Sequence, residues 1–162
     1  YKLSKESTIE NVHTKDVTTE FGEFKLNVWR DVIFDEYHFS LTKGSPEKVD
    51  VPMVRVQTQS VLQDTLGIDE IGKKWSIRKS LQKIADEGTG VFVLINHRDA
   101  KTYWLSNLKD ENIEPKRNRR VIGIGSQILR AIGLNKIKVL GTPTKYSGLS
   151  GFNIEIEGFI DE

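Results

Sequence analysis

The sequence predicts one α/β domain in which a central mixed sheet is flanked by helices. Two segments alternate apolar and polar residues like half-buried strands, and a continuous apolar run bounded by glycine resembles a strand buried on both faces. Amphipathic stretches of helical period lie among them. A length of 162 residues suits a single core, and 37% hydrophobic with 29% charged residues is typical of a folded globular protein.

The first elements are predicted to form an antiparallel unit. Residues 1–20 are polar and are expected to be an interdomain linker or lead-in, outside a domain that spans residues 21–162. Apolar and polar residues alternate over residues 21–29 and again over residues 37–41, which predicts two paired strands. A third strand is expected at residues 51–56, where a proline near the start is tolerated.

The clearest helix is predicted from residue 76 to 87, because its apolar residues share one face and Gly88 follows as a stop. The apolar run at residues 90–95 predicts the central strand. A second helix is expected over residues 126–132, ended by Gly133. The remaining strands are predicted at residues 136–140 and 153–159.

Charge gives no indication of a nucleic-acid partner. The formal net charge is +1, and the basic cluster at residues 116–120 has no interleaved aromatic residues that could stack on bases. We interpret the cluster as the solvated face of a loop. No apolar run approaches the roughly 20 residues of a membrane span, and no secretory signal opens the chain, so a cytoplasmic location is expected.

Metal and phosphate motifs are weak. The absence of cysteine excludes disulfides and thiolate metal ligands, and His13, His38 and His97 lie far apart, so structural roles are predicted for them. The glycine pair Gly123 and Gly125 is expected to open a helix, where packing or a turn is favoured over anion binding.

Four blocks nevertheless resemble the GTP cyclohydrolase II family in order. The first is similar to V-R-V-H-S-E-C-L-T-G-D-x-F-G, and the second to L-x-x-A-L-x-x-I-A-x-E-G-x-G-V. The third is similar to G-x-G-A-Q-I-L-R-x-L-G and the fourth to P-x-K-x-x-G-L-x-G-Y. They lie at residues 54–67, 77–91, 123–133 and 143–152. The resemblance implies the family's α/β fold and a homodimer.

The chain departs from the family where zinc is bound. The family holds zinc with three cysteines spaced C-x(10)-C-x-C, and the corresponding positions are Ser60, Ile71 and Lys73. Serine is a poor zinc ligand, isoleucine is none, and a lysine ammonium repels the ion. No metal, cofactor or catalytic residue is therefore expected in this domain, because the activated water is lost.

Other family positions have changed as well. Gln57 and Gln59 replace a histidine and a glutamate, and residues 96–101 replace the guanine-reading segment. The family's arginine, which is thought to attack the α-phosphate, is kept as Arg120. The carboxylate that precedes it has become Asn118.

Three basic residues match family positions that face the nucleotide phosphates: Arg55, Arg120 and Lys145. They are candidate remnants of a phosphate site, since phosphate contacts need only donors and positive charge. The alternative is that they coincide by chance or make structural salt bridges.

The lead-in resembles the junction in two-domain riboflavin proteins, and the chain starts at Tyr1, so we expect a C-terminal fragment. The preceding half would be a Mg²⁺-dependent 3,4-dihydroxy-2-butanone 4-phosphate synthase, a lyase that converts ribulose 5-phosphate to dihydroxybutanone phosphate and formate. The present domain would have a structural, dimerising or regulatory role. Alternatives are a phosphate or nucleotide sensor and a zinc-independent GTP cyclohydrolase.

Overall fold

The computed structural model describes residues 8–68, 70, 74–96, 115–141 and 154–161, with residues 115–120 described by their backbone only. Seven strands of one sheet and two α-helices lie within these ranges. In chain order they are β1 (Ile9–Thr19), β2 (Gly22–Asp31), β3 (Glu36–Lys43), β4 (Met53–Thr58), α1 (Ile77–Glu87), β5 (Gly90–Ile95), α2 (Pro115–Ile132), β6 (Lys136–Leu140) and β7 (Glu155–Ile160).

The sheet is mixed, as predicted, with the strand order β1-β2-β3-β5-β4-β6-β7. Strands β1, β2 and β3 form an antiparallel meander, and β3 continues antiparallel onto β5. From β5 to β7 all neighbours are parallel. Short turns join the antiparallel strands β1, β2 and β3, whereas the parallel strands β4 and β5 are joined by a crossover through α1.

Strand β5 is the centre of the core, which confirms the prediction for the apolar run. Its Val91, Val93 and Ile95 pack with α2 on one face of the sheet, whereas Phe92 and Leu94 pack with the residues of α1 on the other. A strand covered on both sides has no polar face, and this explains why its sequence does not alternate.

Helix α1 begins and ends where its sequence indicates. The Oγ of Ser76 accepts a hydrogen bond from the backbone N–H of Lys79 at 3.1 Å and so caps the first turn. Gly88 closes the helix with a φ of 85°, in the left-handed region that glycine adopts at low cost. Leu81 and Ile84 are buried against the sheet.

The expectation of a linker at residues 1–20 is wrong for its second half. Residues 9–19 form the edge strand β1, paired with β2 from Ile9 opposite Asp31 to Thr19 opposite Gly22. Only Ile9 is buried, and most other side chains of β1 are exposed. An edge strand that covers little core has no apolar periodicity, so its pairing could not be predicted from its sequence.

The second helix is also longer than predicted, because α2 begins at Pro115 and not at residue 126. The basic cluster therefore belongs to a helix and not to a loop. Gly123 and Gly125 lie inside the helix and do not open it. A Cβ on Gly125 would stand 2.8 Å from Cγ1 of Val56 in β4, which confirms a packing role for this glycine.

Other boundaries shift slightly. Strand β4 begins at Met53, directly after Pro52, which has no N–H to donate to a neighbouring strand. The last strand begins at Glu155, and Gly133, with a φ of 107°, ends α2 as predicted.

Candidate functional site

The site begins on β4, which carries the first of the four sequence blocks. Val54 and Val56 face α2, whereas Met53 on the opposite side belongs to the cluster that packs against α1. Because side chains alternate along a strand, Arg55 and Gln57 share the face of Met53. The strand thus directs both polar side chains to the α1 face of the sheet.

Arg55 is held by contacts within the chain. Its Nε donates to Oε1 of Gln57 at 2.7 Å, Nη1 donates to the carbonyl of Leu140 at 2.9 Å, and Nη2 donates to the carbonyl of Trp75 at 3.0 Å. The guanidinium thereby joins β4, the end of β6 and the segment before α1. These contacts favour a structural role over the alternative of a phosphate ligand for this residue.

Two buried donors near Arg55 have no partner among the described residues. They are Nε2 of Gln57 and Nε1 of Trp75. Both side chains are 2% exposed. The guanidinium of Arg55 bonds the side-chain oxygen of Gln57 and the backbone carbonyl of Trp75. Unpaired buried donors are rare in folded proteins and indicate a place where a water or a ligand can accept.

Ser60 lies at the first ligand position of the family pattern and caps a short helical turn, Val61–Thr65. Its Oγ accepts from the backbone N–H of Gln63 at 3.3 Å, and its own N–H donates to Oδ2 of Asp64 at 2.8 Å. These reciprocal bonds resemble a capping box. The side chain is 3% exposed, so the hydroxyl serves the backbone of its own turn.

The side chains of the other predicted site residues lie outside the part of the chain that the structure describes. Ile71, Lys73 and Lys145 lie outside the described residues, as do the side chains of Asn118 and Arg120 in the first turns of α2. Helix α2 packs on the face of β4 opposite to Arg55.

A buried polar group that sequence reasoning missed lies where β2 meets β3. Asp31 and Glu36 are register partners, and their carboxylates and the imidazole of His38 come within 4.8 Å of one another. All three side chains are at most 5% exposed. Carboxylates beside a histidine are a common ligand set for divalent metals, and this group is the only such trio among the described residues.

The orientation of His38 does not fit metal binding. Its Nδ1 accepts a hydrogen bond from the backbone N–H of Asn96 at 2.9 Å, so in a neutral ring the proton is on Nε2. A protonated Nε2, which lies 4.0 Å from Oε1 of Glu36, has no lone pair for a metal. The structural role predicted for this histidine agrees with the geometry.

Of the other two histidines, His13 is exposed on β1 and His97 lies outside the described residues. Among the described helices, none is long and apolar enough to cross a membrane.

Comparison with known proteins agrees with the fold. The model of the family described as GTP cyclohydrolase II matches residues 10–161. A protein of Pseudomonas aeruginosa named 3,4-dihydroxy-2-butanone 4-phosphate synthase is 30% identical over 166 residues, covering 99% of this chain and 45% of that protein. A protein of the same name from Neisseria meningitidis serogroup B is 32% identical over 161 residues, which are 98% of this chain and 44% of that protein.

Two further matches extend the comparison. The riboflavin biosynthesis protein RibBA of Cytophaga hutchinsonii is 30% identical over 171 residues, covering 96% of this chain and 42% of that protein. The crystal structure of RibBX from A. baumannii, a two-domain 3,4-dihydroxy-2-butanone 4-phosphate synthase, superposes with a TM-score of 0.69. It is 27% identical and covers 100% of this chain and 43% of that one. The chain thus spans less than half the length of these relatives, and it belongs to the GTP cyclohydrolase II family.

Proposed function

We propose that this domain does not open the guanine ring of GTP and instead supports an attached synthase half. The observation that carries the proposal is the role of Ser60. At the first zinc-ligand position there is no thiolate, and the hydroxyl that replaces it is buried in the cap of its own turn. With Ile71 and Lys73 at the other two positions, the residues do not fit zinc.

The surrounding residues support the same conclusion. Arg55 donates to two backbone carbonyls and to Gln57, and these contacts stabilise the junction of β4, β6 and α1. Gln57 and Gln59 stand where the family has a histidine and a glutamate. An amide side chain does not ionise near neutral pH, so neither residue can act as a general acid or base. What remains is a well-packed scaffold.

The relatives suggest what the scaffold supports. Because several of them are named 3,4-dihydroxy-2-butanone 4-phosphate synthase and are more than twice as long, we propose that the natural polypeptide carries that synthase before this domain. The synthase would convert ribulose 5-phosphate to dihydroxybutanone phosphate and formate with Mg²⁺. The whole would be a cytoplasmic homodimer, and the present domain would aid its assembly.

Removal of the domain tests the supporting role. We expect the full polypeptide without residues 9–162 to lose at least five-fold in synthase activity or to dissociate in sedimentation velocity. In case the truncated protein fails to fold, a second variant keeps the whole chain and destabilises only this domain by Gly90→Ala. If neither variant changes activity or assembly, the supporting role is wrong.

A direct assay tests the absence of cyclohydrolase chemistry. We expect no release of formate or pyrophosphate from GTP above background, with or without added Zn²⁺. The triple substitution S60C, I71C and K73C should remain inactive, because the residues around the ligand positions have changed too. An active GTP cyclohydrolase II serves as the positive control, and turnover by the unmodified chain would establish a zinc-independent enzyme instead.

A phosphate or nucleotide sensor is the second candidate, favoured by the buried donors of Gln57 and Trp75, for which the described residues supply no acceptor. Arg120 and Lys145 could add positive charge. Calorimetric titration with GTP is the test. If a ligand accepts from the indole, Trp75→Phe should weaken binding about ten-fold, because it removes the N–H and keeps most of the ring. Flat isotherms at millimolar GTP would exclude the candidate.

A further inference from the structure

The turn between β2 and β3 exposes three consecutive apolar side chains. Val32, Ile33 and Phe34 are 45%, 54% and 49% exposed, and Tyr37, shortly after the turn, is 46% exposed. We call Val32, Ile33, Phe34 and Tyr37 the apolar tip. Single exposed apolar residues are ordinary on protein surfaces, whereas a contiguous group of them marks a contact surface.

The tip is held in shape from beneath. Oδ1 of Asp31, whose side chain is buried, accepts from the backbone N–H groups of Ile33 and Phe34 at 3.0 and 3.4 Å. Asp35 closes the turn with a φ of 51°, and its Oδ1 accepts from Nε of Arg30 at 3.0 Å. A turn fixed in this way loses little conformational entropy when its apolar residues are covered.

Charged residues rim one side of the tip. Arg30 also bonds Glu10 of β1 at 3.3 Å. The hydrogen bonds with Asp35 first and with Glu10 second raise the pKa of Arg30 above its ordinary value. An apolar centre with a polar rim is the usual composition of a contact between folded units.

The place where the chain enters the domain lies beside the tip. The carbonyl of Thr8 accepts from the N–H of Val32 at 2.9 Å, and the N–H of Thr8 donates to Oε1 of Gln127 in α2 at 2.7 Å. Thr8 is thereby fixed both to the turn and to a helix of the core. Anything that precedes Tyr1 is connected to Thr8 through residues 1–7, which span at most about 25 Å.

The size of the tip indicates which partner can cover it. Four half-exposed side chains present on the order of a few hundred Å² of apolar surface. Stable complexes between free proteins bury roughly 1,200 Å² or more, so this tip alone is too small to hold a second copy. A tethered partner needs less, because a short linker gives it a local concentration in the millimolar range.

We propose that the apolar tip docks the preceding synthase half of the same polypeptide and fixes its orientation on this domain. The inference rests on the proposed function, which supplies the occupant. The contact covers Val32, Ile33 and Phe34 and lies beside Thr8. The domain then acts on the synthase through a contact surface as well as through the connection of the chain.

Site-specific photo-crosslinking in the full natural polypeptide tests this docking. A benzophenone amino acid at position 33 should give crosslinks to the preceding half within one chain, mapped by mass spectrometry. The matched control is position 49, because Val49 is 39% exposed and follows β3 at the opposite end of the sheet. We expect at least ten-fold more crosslink at position 33 than at position 49.

A charge in the tip provides a second readout. Ile33→Asp should separate the two halves and raise the radius of gyration measured by X-ray scattering, while Val49→Asp should not. Absence of crosslinks to the preceding half, or crosslinks to another copy, would overturn the proposal. Failure of the proposed function is recognised separately, since a full polypeptide without synthase activity refutes that function whatever the tip contacts.

Discussion

Arg55→Ala should lower the free energy of unfolding by about 3–4 kcal/mol, the largest effect that we expect from a polar residue in this domain. The substitution removes three charge-assisted hydrogen bonds at once. It leaves the carbonyls of Leu140 and Trp75 and the amide oxygen of Gln57 without their donor. Because these acceptors belong to three segments of the core, the loss weakens a junction and not one element.

Urea denaturation followed by circular dichroism measures this effect. Arg55→Lys keeps the charge but loses the planar set of N–H donors. It should therefore recover less than half of the lost free energy of unfolding. Arg78→Ala is the matched control, because Arg78 pairs with Glu20 and has a side chain that is 68% exposed. Exposed pairs of this kind contribute about 0–1 kcal/mol. Equal effects of Arg55→Ala and Arg78→Ala would contradict the structural role.

The same variant separates the two roles that the sequence left open for Arg55. If Arg55 is mainly a phosphate ligand, alanine should abolish nucleotide binding and leave the denaturation midpoint almost unchanged. If it is the junction described above, the midpoint should fall whether or not any nucleotide binds. The geometry of its three donors supports the second result.

Gly90→Ala should lower the free energy of unfolding by about 3 kcal/mol. Gly90 opens the central strand β5 with a φ of 152°, and a Cβ there would stand 2.9 Å from the carbonyl oxygen of Met53 and 3.1 Å from Cγ2 of Ile84. The neighbours cannot move aside easily, because Met53 belongs to the adjacent strand and Ile84 is fully buried in α1.

Gly88→Ala is a close control only two residues away. Gly88 also has a positive φ, 85°, but a Cβ on it would meet no atom within 4 Å. Alanine at this position should therefore cost only the left-handed conformation, about 1 kcal/mol. Thermal unfolding of both variants measures the difference in stability. If Gly90→Ala destabilises the domain no more than Gly88→Ala does, the close contacts at Gly90 do not contribute to stability.

For Gly88 and Gly90, the sequence predicts the secondary structure but not the reason why each residue is a glycine. The E-G-x-G-V pattern indicates a helix stop followed by a strand, and both are found. The separate reasons for the two glycines are visible only in three dimensions. Gly88 is required by its own backbone conformation alone, whereas Gly90 also lies against Ile84 and against Met53 of another strand.

The elements that were missed have a common cause. The side chains of β1 are mostly polar and exposed, and residues 115–120 at the start of α2 are mostly charged in sequence, so neither segment shows a hydrophobic periodicity. Their structure depends on what they pair with or extend, namely β2 in one case and the amphipathic second half of α2 in the other. Local propensity has little weight where tertiary pairing decides.

The sequence by itself determined the mixed α/β class, the central strand and the end of α1 at Gly88. Each of these follows from residue type or period, which are local properties, and the three changed zinc-ligand positions follow from the resemblance to the family. Only the tertiary structure decided that Arg55 joins β4 to β6, that Ser60 caps a turn, and that Asp31 supports an apolar tip beside Thr8. Those roles depend on contacts between residues far apart along the chain, and the direction of a side chain is fixed only when the sheet has formed.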